Sequence, residues 1–159
     1  MTYLTLKTMH IPSMVLLFGT GLGSAYYKWM ADRSRGLAHI AETNRHVVLA
    51  DWCFTSPTVI FQPISGIMMA SMAEIPLTTP WVATSLVLYA LAGACWLPVV
   101  WLQIRMRELS AAAVAREQPL PEQYWRMAHW WFWLGVPAFS AMVAVVGLMV
   151  FKHVPGAGS

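Results

Sequence analysis

Charge is absent from four long stretches of this chain: residues 8–27, 52–73, 75–104 and 127–151 contain no Asp, Glu, Lys or Arg. A helix rises 1.5 Å per residue, so about 20 apolar residues cross the hydrocarbon layer of a bilayer. Each stretch reaches that length. The pattern predicts helices at about 8–30, 46–72, 81–105 and 126–151. Polar loops are expected at 31–45 and 106–125, and a short hairpin at 73–80, where Pro76 and Pro80 stop one helix and start the next. The first stretch is longer than the 7–15-residue core of a signal peptide, which favours a span. The expected fold is an all-α, integral membrane four-helix bundle, a single membrane domain over residues 1–159.

Composition agrees. Hydrophobic residues make up 58% of the chain and charged residues 11%, against about 25% charged in soluble domains. The mean hydropathy is +0.55. So few charges cannot cover the surface of an aqueous fold.

The basic residues give the spans a direction. Eight of the ten lie on loops one and three or their flanks: Lys28, Arg33, Arg35, Arg45, Arg105, Arg107, Arg116 and Arg126. Lys7 and Lys152 fall on the other side. Basic loops stay cytoplasmic, so both termini are expected to be periplasmic, in a bacterial inner membrane. The formal charge of +3 then reflects orientation and is no sign of nucleic-acid binding. Of nine tryptophans, Trp29, Trp81, Trp101, Trp125, Trp130 and Trp131 sit where an aromatic interfacial belt would place them. Trp52, Trp96 and Trp133 lie deeper, where they could line a niche.

Ionisable groups at membrane depth are expensive and mark function by default. His10 opens the first helix and His153 follows the fourth on the outer side; His46 and His129 open the second and fourth on the inner side. His39 falls in loop one and is expected to face solvent. Neutral imidazole is the usual axial ligand of b-type haem, and bundle cores hold it well. His10, His46, His129 and His153 are therefore candidate haem ligands, and the first three are also candidate ligands for a metal ion. His10 and His46 stand about 30 Å apart, too far to share one group. Asp51 requires a partner, and Arg105 or Arg126 is expected to clamp it; proton relay or propionate positioning is the functional alternative. Gly19 and Gly23 form a small-xxx-small pair suited to close helix packing, or to clearing room for a flat porphyrin. Pro57, Pro63, Pro98 and Pro137 can each kink a helix and open space. Cys53 and Cys95 match no disulfide or metal spacing. The eleven methionines form no regular copper(I) ladder. No catalytic triad, carboxylate pair, zinc signature or nucleotide loop occurs, which argues against hydrolase or transferase chemistry.

Three segments carry a resemblance: Leu6–Ile11 leading into Gly19–Gly23, Arg45–Trp52 with Gln62-Pro63, and Leu97–Arg107. Together they resemble a bacterial family of predicted integral membrane proteins with no assigned function. The Lys7-x-x-His10 start of helix one is also similar to the haem-binding membrane protoporphyrinogen oxidases and to the membrane domain of copper-resistance D proteins. That similarity implies haem at His10, although helix three has no lysine matching the group's second basic residue. These readings converge on a small haem-b membrane protein for electron transfer. Any enzymatic activity would be that of a haem-dependent membrane oxidoreductase, exchanging electrons with a quinone. The alternatives are a non-catalytic accessory subunit of a larger membrane complex or homo-oligomer, and a copper or small-solute transport component.

Overall fold

The computed structural model describes residues 2–152 and is helical throughout. Helix α1 runs Tyr3–Ser34, α2 Leu37–Ala50, α3 Ser56–Met72, α4 Pro80–Ala115 and α5 Glu122–Phe151. A single π-helical turn, Asp51–Thr55, joins α2 to α3 into one rod, so the chain forms four long helices. Leu37–Met72, Pro80–Ala115 and Glu122–Phe151 are long and apolar enough to cross a membrane. Helix α1, expected as a fourth span, is long enough but falls short in apolarity. Its stretch 8–27 is diluted by His10, three glycines and four serine or threonine residues.

Local chemistry sets the ends. Thr2 caps α1 by accepting a hydrogen bond from the Thr5 amide at 3.3 Å. Arg35 ends α1 in the left-handed conformation, φ 57°, and Gly36 immediately caps α2. Loop one is thus a two-residue break rather than the expected 31–45, and His39 lies exposed on α2. Helix α4 likewise runs through residues 106–115, leaving only 116–121 as a connection before Pro121 caps α5. Pro80 occupies the first turn of α4, where its missing N–H costs nothing. Pro57 lies two residues past the π turn. Its ring would collide with the Cys53 carbonyl in a regular helix, and the widened turn relieves that collision.

The hairpin α4–α5 packs along its length, and α1 packs against α2 and α3. Helix α2 leans on α4, which ties the two halves together at the end carrying the Arg35 and Arg116 turns, here the basic end. Toward the opposite end, α3 and α4 barely touch, and the backbones of α1 and α5 stay apart. The core lies at the basic end: Ala31, Ile40, Val99, Leu102, Met106, Tyr124 and Trp131. Gly19 and Gly23 do not mediate close packing within the chain, since a Cβ at either would meet nothing within 4 Å.

Candidate functional site: an intramembrane cavity and its polar end

The splay of the two halves leaves a cavity of about 340 Å³ between α1, α3, α4 and α5. Leu17, Val59, Ala92, Trp96, Gly135 and Phe139 are typical of its wall. Asp51, Thr55, Gln103 and Trp131 supply polar atoms to it, and no lysine or arginine lines it. Counted along α2–α3, α4 and α5, Asp51, Gln103 and Trp131 lie in the halves nearer the basic end, and Thr55 sits at the middle of its rod. The cavity is therefore apolar along most of its length and polar at one end.

That polar end is under-satisfied. Asp51 is 5% exposed. Its Oδ1 accepts a hydrogen bond from the Thr55 hydroxyl at 2.8 Å, whereas Oδ2 has no partner among the described residues. Gln103 is close enough to influence the Asp51 carboxyl, but its own Oε1 is also without a partner, as is the indole Nε1 of Trp131. Each buried polar atom left unpaired costs about 1–3 kcal/mol. Two acceptors and one donor are thus held at a cost on the wall of one cavity. The π turn is what sets Asp51 there, one residue out of the regular register of the rod; such turns recur at functional sites.

Behind Trp131 the polar groups are fully paired. Lys28, 1% exposed, donates to Asp32 Oδ2 at 2.7 Å and to the Tyr124 hydroxyl at 3.1 Å. Tyr124, 0% exposed, donates to Asp32 Oδ1 at 2.6 Å. Asn44 donates to Tyr124 at 3.1 Å and to Ser110 at 3.0 Å, and Ser110 donates to the Met106 carbonyl at 2.8 Å. The ammonium also lies 5.1 Å from the Tyr124 ring centre and 5.3 Å from that of Trp131, within cation–π range. Trp131 is the shared wall between this cluster and the cavity.

The residues singled out from sequence scatter. Asp51 is buried as expected, but no arginine clamps it. Arg105 pairs with Glu108 at 2.7 Å on the surface, and Arg126 is exposed. A helix surface keeps long cationic side chains in water more cheaply than a buried pair could. His46 is 58% exposed, its Nε2 lying 3.1 Å from both Glu42 and Arg45 of its own helix. His129 is exposed and lies edge-on to Trp130 and Trp133. The two do not converge. His153 lies outside the described residues. No group of three or more His, Cys, Asp or Glu side chains is placed to hold a metal among the described residues. Trp96 does line the cavity, while Trp52 and Trp133 face outward. Trp131, expected in the interfacial belt, is buried instead.

His10 is the one buried histidine of the described chain. Ser65 donates to the Phe61 carbonyl at 2.6 Å, which uses its only proton. The 2.7 Å contact between Ser65 Oγ and His10 Nδ1 therefore requires Nδ1–H to donate. The lone pair then sits on Nε2, which has no hydrogen-bond partner among the described residues. Gln62 adds a bond from its amide to the His10 carbonyl at 2.9 Å. Sequence reasoning missed Lys28, Asn44, Gln103, Ser110 and Tyr124. Lys28 and Asp32 stand four apart, the spacing of a helical ion pair, and that signal was available.

Fold and composition define a helical integral membrane protein, with three helices among the described residues long and apolar enough to cross a membrane. Residues 4–153 match the family model described as Predicted integral membrane protein (DUF2269), and the chain belongs to that family. No curated protein and no solved structure matches it.

Proposed function

We propose that this protein binds a neutral, lipid-soluble molecule with a small polar head, of the quinol class, in its intramembrane cavity. The four long helices together form the membrane bundle, with α1 shielded as the fourth span and both termini outside. The basic end then faces the cytoplasm, as the distribution of arginines favours. The carrying observation is the trio of unpartnered atoms at the polar end. A ring hydroxyl can donate to Asp51 Oδ2 or Gln103 Oε1 while its oxygen accepts from Trp131 Nε1–H. One such hydroxyl would relieve the indole N–H and one of the two acceptors, and the apolar wall suits the rest of the molecule. Quinol is the chemistry through which a role in electron transport would run.

The test uses detergent-purified protein and duroquinol under reducing conditions, with binding followed by equilibrium dialysis. Wild-type protein is expected to bind it saturably. Asp51→Leu and Gln103→Leu each weaken binding at least ten-fold. Equal retention by wild type and the double variant overturns the proposal.

A second reading, haem at the outer α1–α3 contact, is favoured by the orientation of His10. A hydrogen bond from Nδ1–H to a neighbouring oxygen fixes the tautomer and raises the basicity of a ligating Nε2. Neither His46 nor His129 faces it to supply a second axial ligand. Oxidised and dithionite-reduced spectra of protein expressed with ample haem test it. A Soret band lost in His10→Ala supports the reading, and no Soret band in wild type rejects it.

A further inference from the structure

The walls of the cavity are unequal. On the α3–α4 side every lining residue is buried or half-buried, and the Tyr89 hydroxyl closes the gap by donating to the Val59 carbonyl at 2.6 Å. On the α1–α5 side the lining residues Leu22, Phe132, Val136, Phe139 and Ser140 are themselves exposed, Leu22 by 59% and Val136 by 43%. Residues that line a cavity and also meet its surroundings mark its mouth. This mouth is a slot along α1 and α5, bridged by the edge-on contact of Phe18 with Phe139, ring centres 5.6 Å apart. Its rim is apolar. Gly21 and Gly135 widen it, since a Cβ at either would meet nothing within 4 Å.

From this geometry we infer that the ligand is a tailed amphiphile, whose head enters sideways from the bilayer and whose tail lies in the α1–α5 slot. The inference rests on the head-group reading above. Trp131 and Phe139 are eight residues apart on α5, about 12 Å of helix. A ring-sized head at the polar end leaves that length of apolar wall to be covered, which a tail does. The charge pattern selects the head: the polar end offers a carboxyl, an amide oxygen and an indole N–H. Lys28 is committed to Asp32 and Tyr124. With no cation available, a phosphate head group has nothing to neutralise it, so phospholipid is disfavoured and a neutral single-headed prenyl or alkyl quinol fits.

The experiment compares tail-less duroquinol with decyl-ubiquinol on purified wild type, Leu22→Trp and Val136→Trp, concentrations taken per detergent volume. Wild type is expected to prefer the tailed probe at least ten-fold. Each tryptophan, projecting into the slot from opposite sides, is expected to cut that preference ten-fold or more. Two variants guard against a fold defect in one, and a variant that still binds duroquinol is folded. Tail preference absent in wild type, or undiminished in both folded variants, overturns the slot while leaving the head-group reading standing. Failure of wild type to bind duroquinol at all overturns both.

Discussion

The basic end and the cavity hold comparable polar groups at comparable burial and treat them in opposite ways. Around Lys28, Asp32, Asn44, Ser110 and Tyr124, side chains from α1, α2, α4 and α5 are mutually hydrogen-bonded. A few ångströms on, beyond the Trp131 ring, Asp51, Gln103 and the indole N–H are held with bonding capacity unused. A buried charge survives only when paired, so the first region reads as the joint that fastens the two halves of the molecule. The second carries a cost that folding alone does not return, and such a cost is kept where a ligand removes it.

The largest effect that would separate the two regions is loss of the joint. Asp32→Ala strands the Lys28 ammonium at full burial, and a broken buried pair costs about 3–5 kcal/mol. Melting in detergent should fall by on the order of 10 °C. Tyr124→Phe removes the shared hydroxyl and should cost about 1–3 kcal/mol. The cavity should answer differently. Asp51→Leu and Gln103→Leu delete the unpaired Oδ2 and Oε1 at the loss of one Thr55 hydrogen bond, so melting should fall far less than in Asp32→Ala even as duroquinol affinity drops more than ten-fold. Melting losses matching those of Asp32→Ala would make the two regions alike and erase the distinction.

A milder change sharpens the comparison from the other side. A Cβ at Gly93 would meet nothing within 4 Å, and this position lines the cavity. Gly93→Ala should stabilise by about 0.5–1 kcal/mol through helix propensity, whereas Gly93→Leu should also exclude ligand. The smallest effect belongs to His46→Ala: the side chain faces outward beside Glu42 and Arg45, and neither melting nor duroquinol binding should move.

Much of this architecture was legible in the sequence. Gaps between charges located all four long helices, because hydrocarbon excludes charge whatever the tertiary fold. The gaps overstated α1, whose glycines and hydroxyls are uncharged but hardly apolar, and they understated every helix at the basic end. Arg33, Arg45, Arg107 and Glu108 look like loop residues yet sit on helices that extend past the apolar stretch. Asp51 was identifiable as costly, since a lone carboxylate in a span is rare. Its surroundings were not, because Thr55 and Gln103 approach it through a π turn and a second helix, and Trp131 of a third helix lines the same cavity. Lys28 reads in sequence as a topology marker, because Tyr124, which helps to bury it, comes from α5. The histidines misled for a related reason: position along a helix gives depth, but only packing gives the face. His10 points inward to Ser65, whereas His46 and His129 point out.

The central claim is that the unpaired atoms of the cavity are a binding site for a neutral tailed lipid. Solvent extraction of gently purified protein, followed by quantitative mass spectrometry of neutral lipids, tests it most directly. Wild type should carry close to one prenyl or alkyl quinol-class molecule per chain, and Asp51→Leu combined with Gln103→Leu should lose it while remaining folded. The same neutral lipids at the same ratio in both proteins, or none above the detergent background in wild type, would contradict the account.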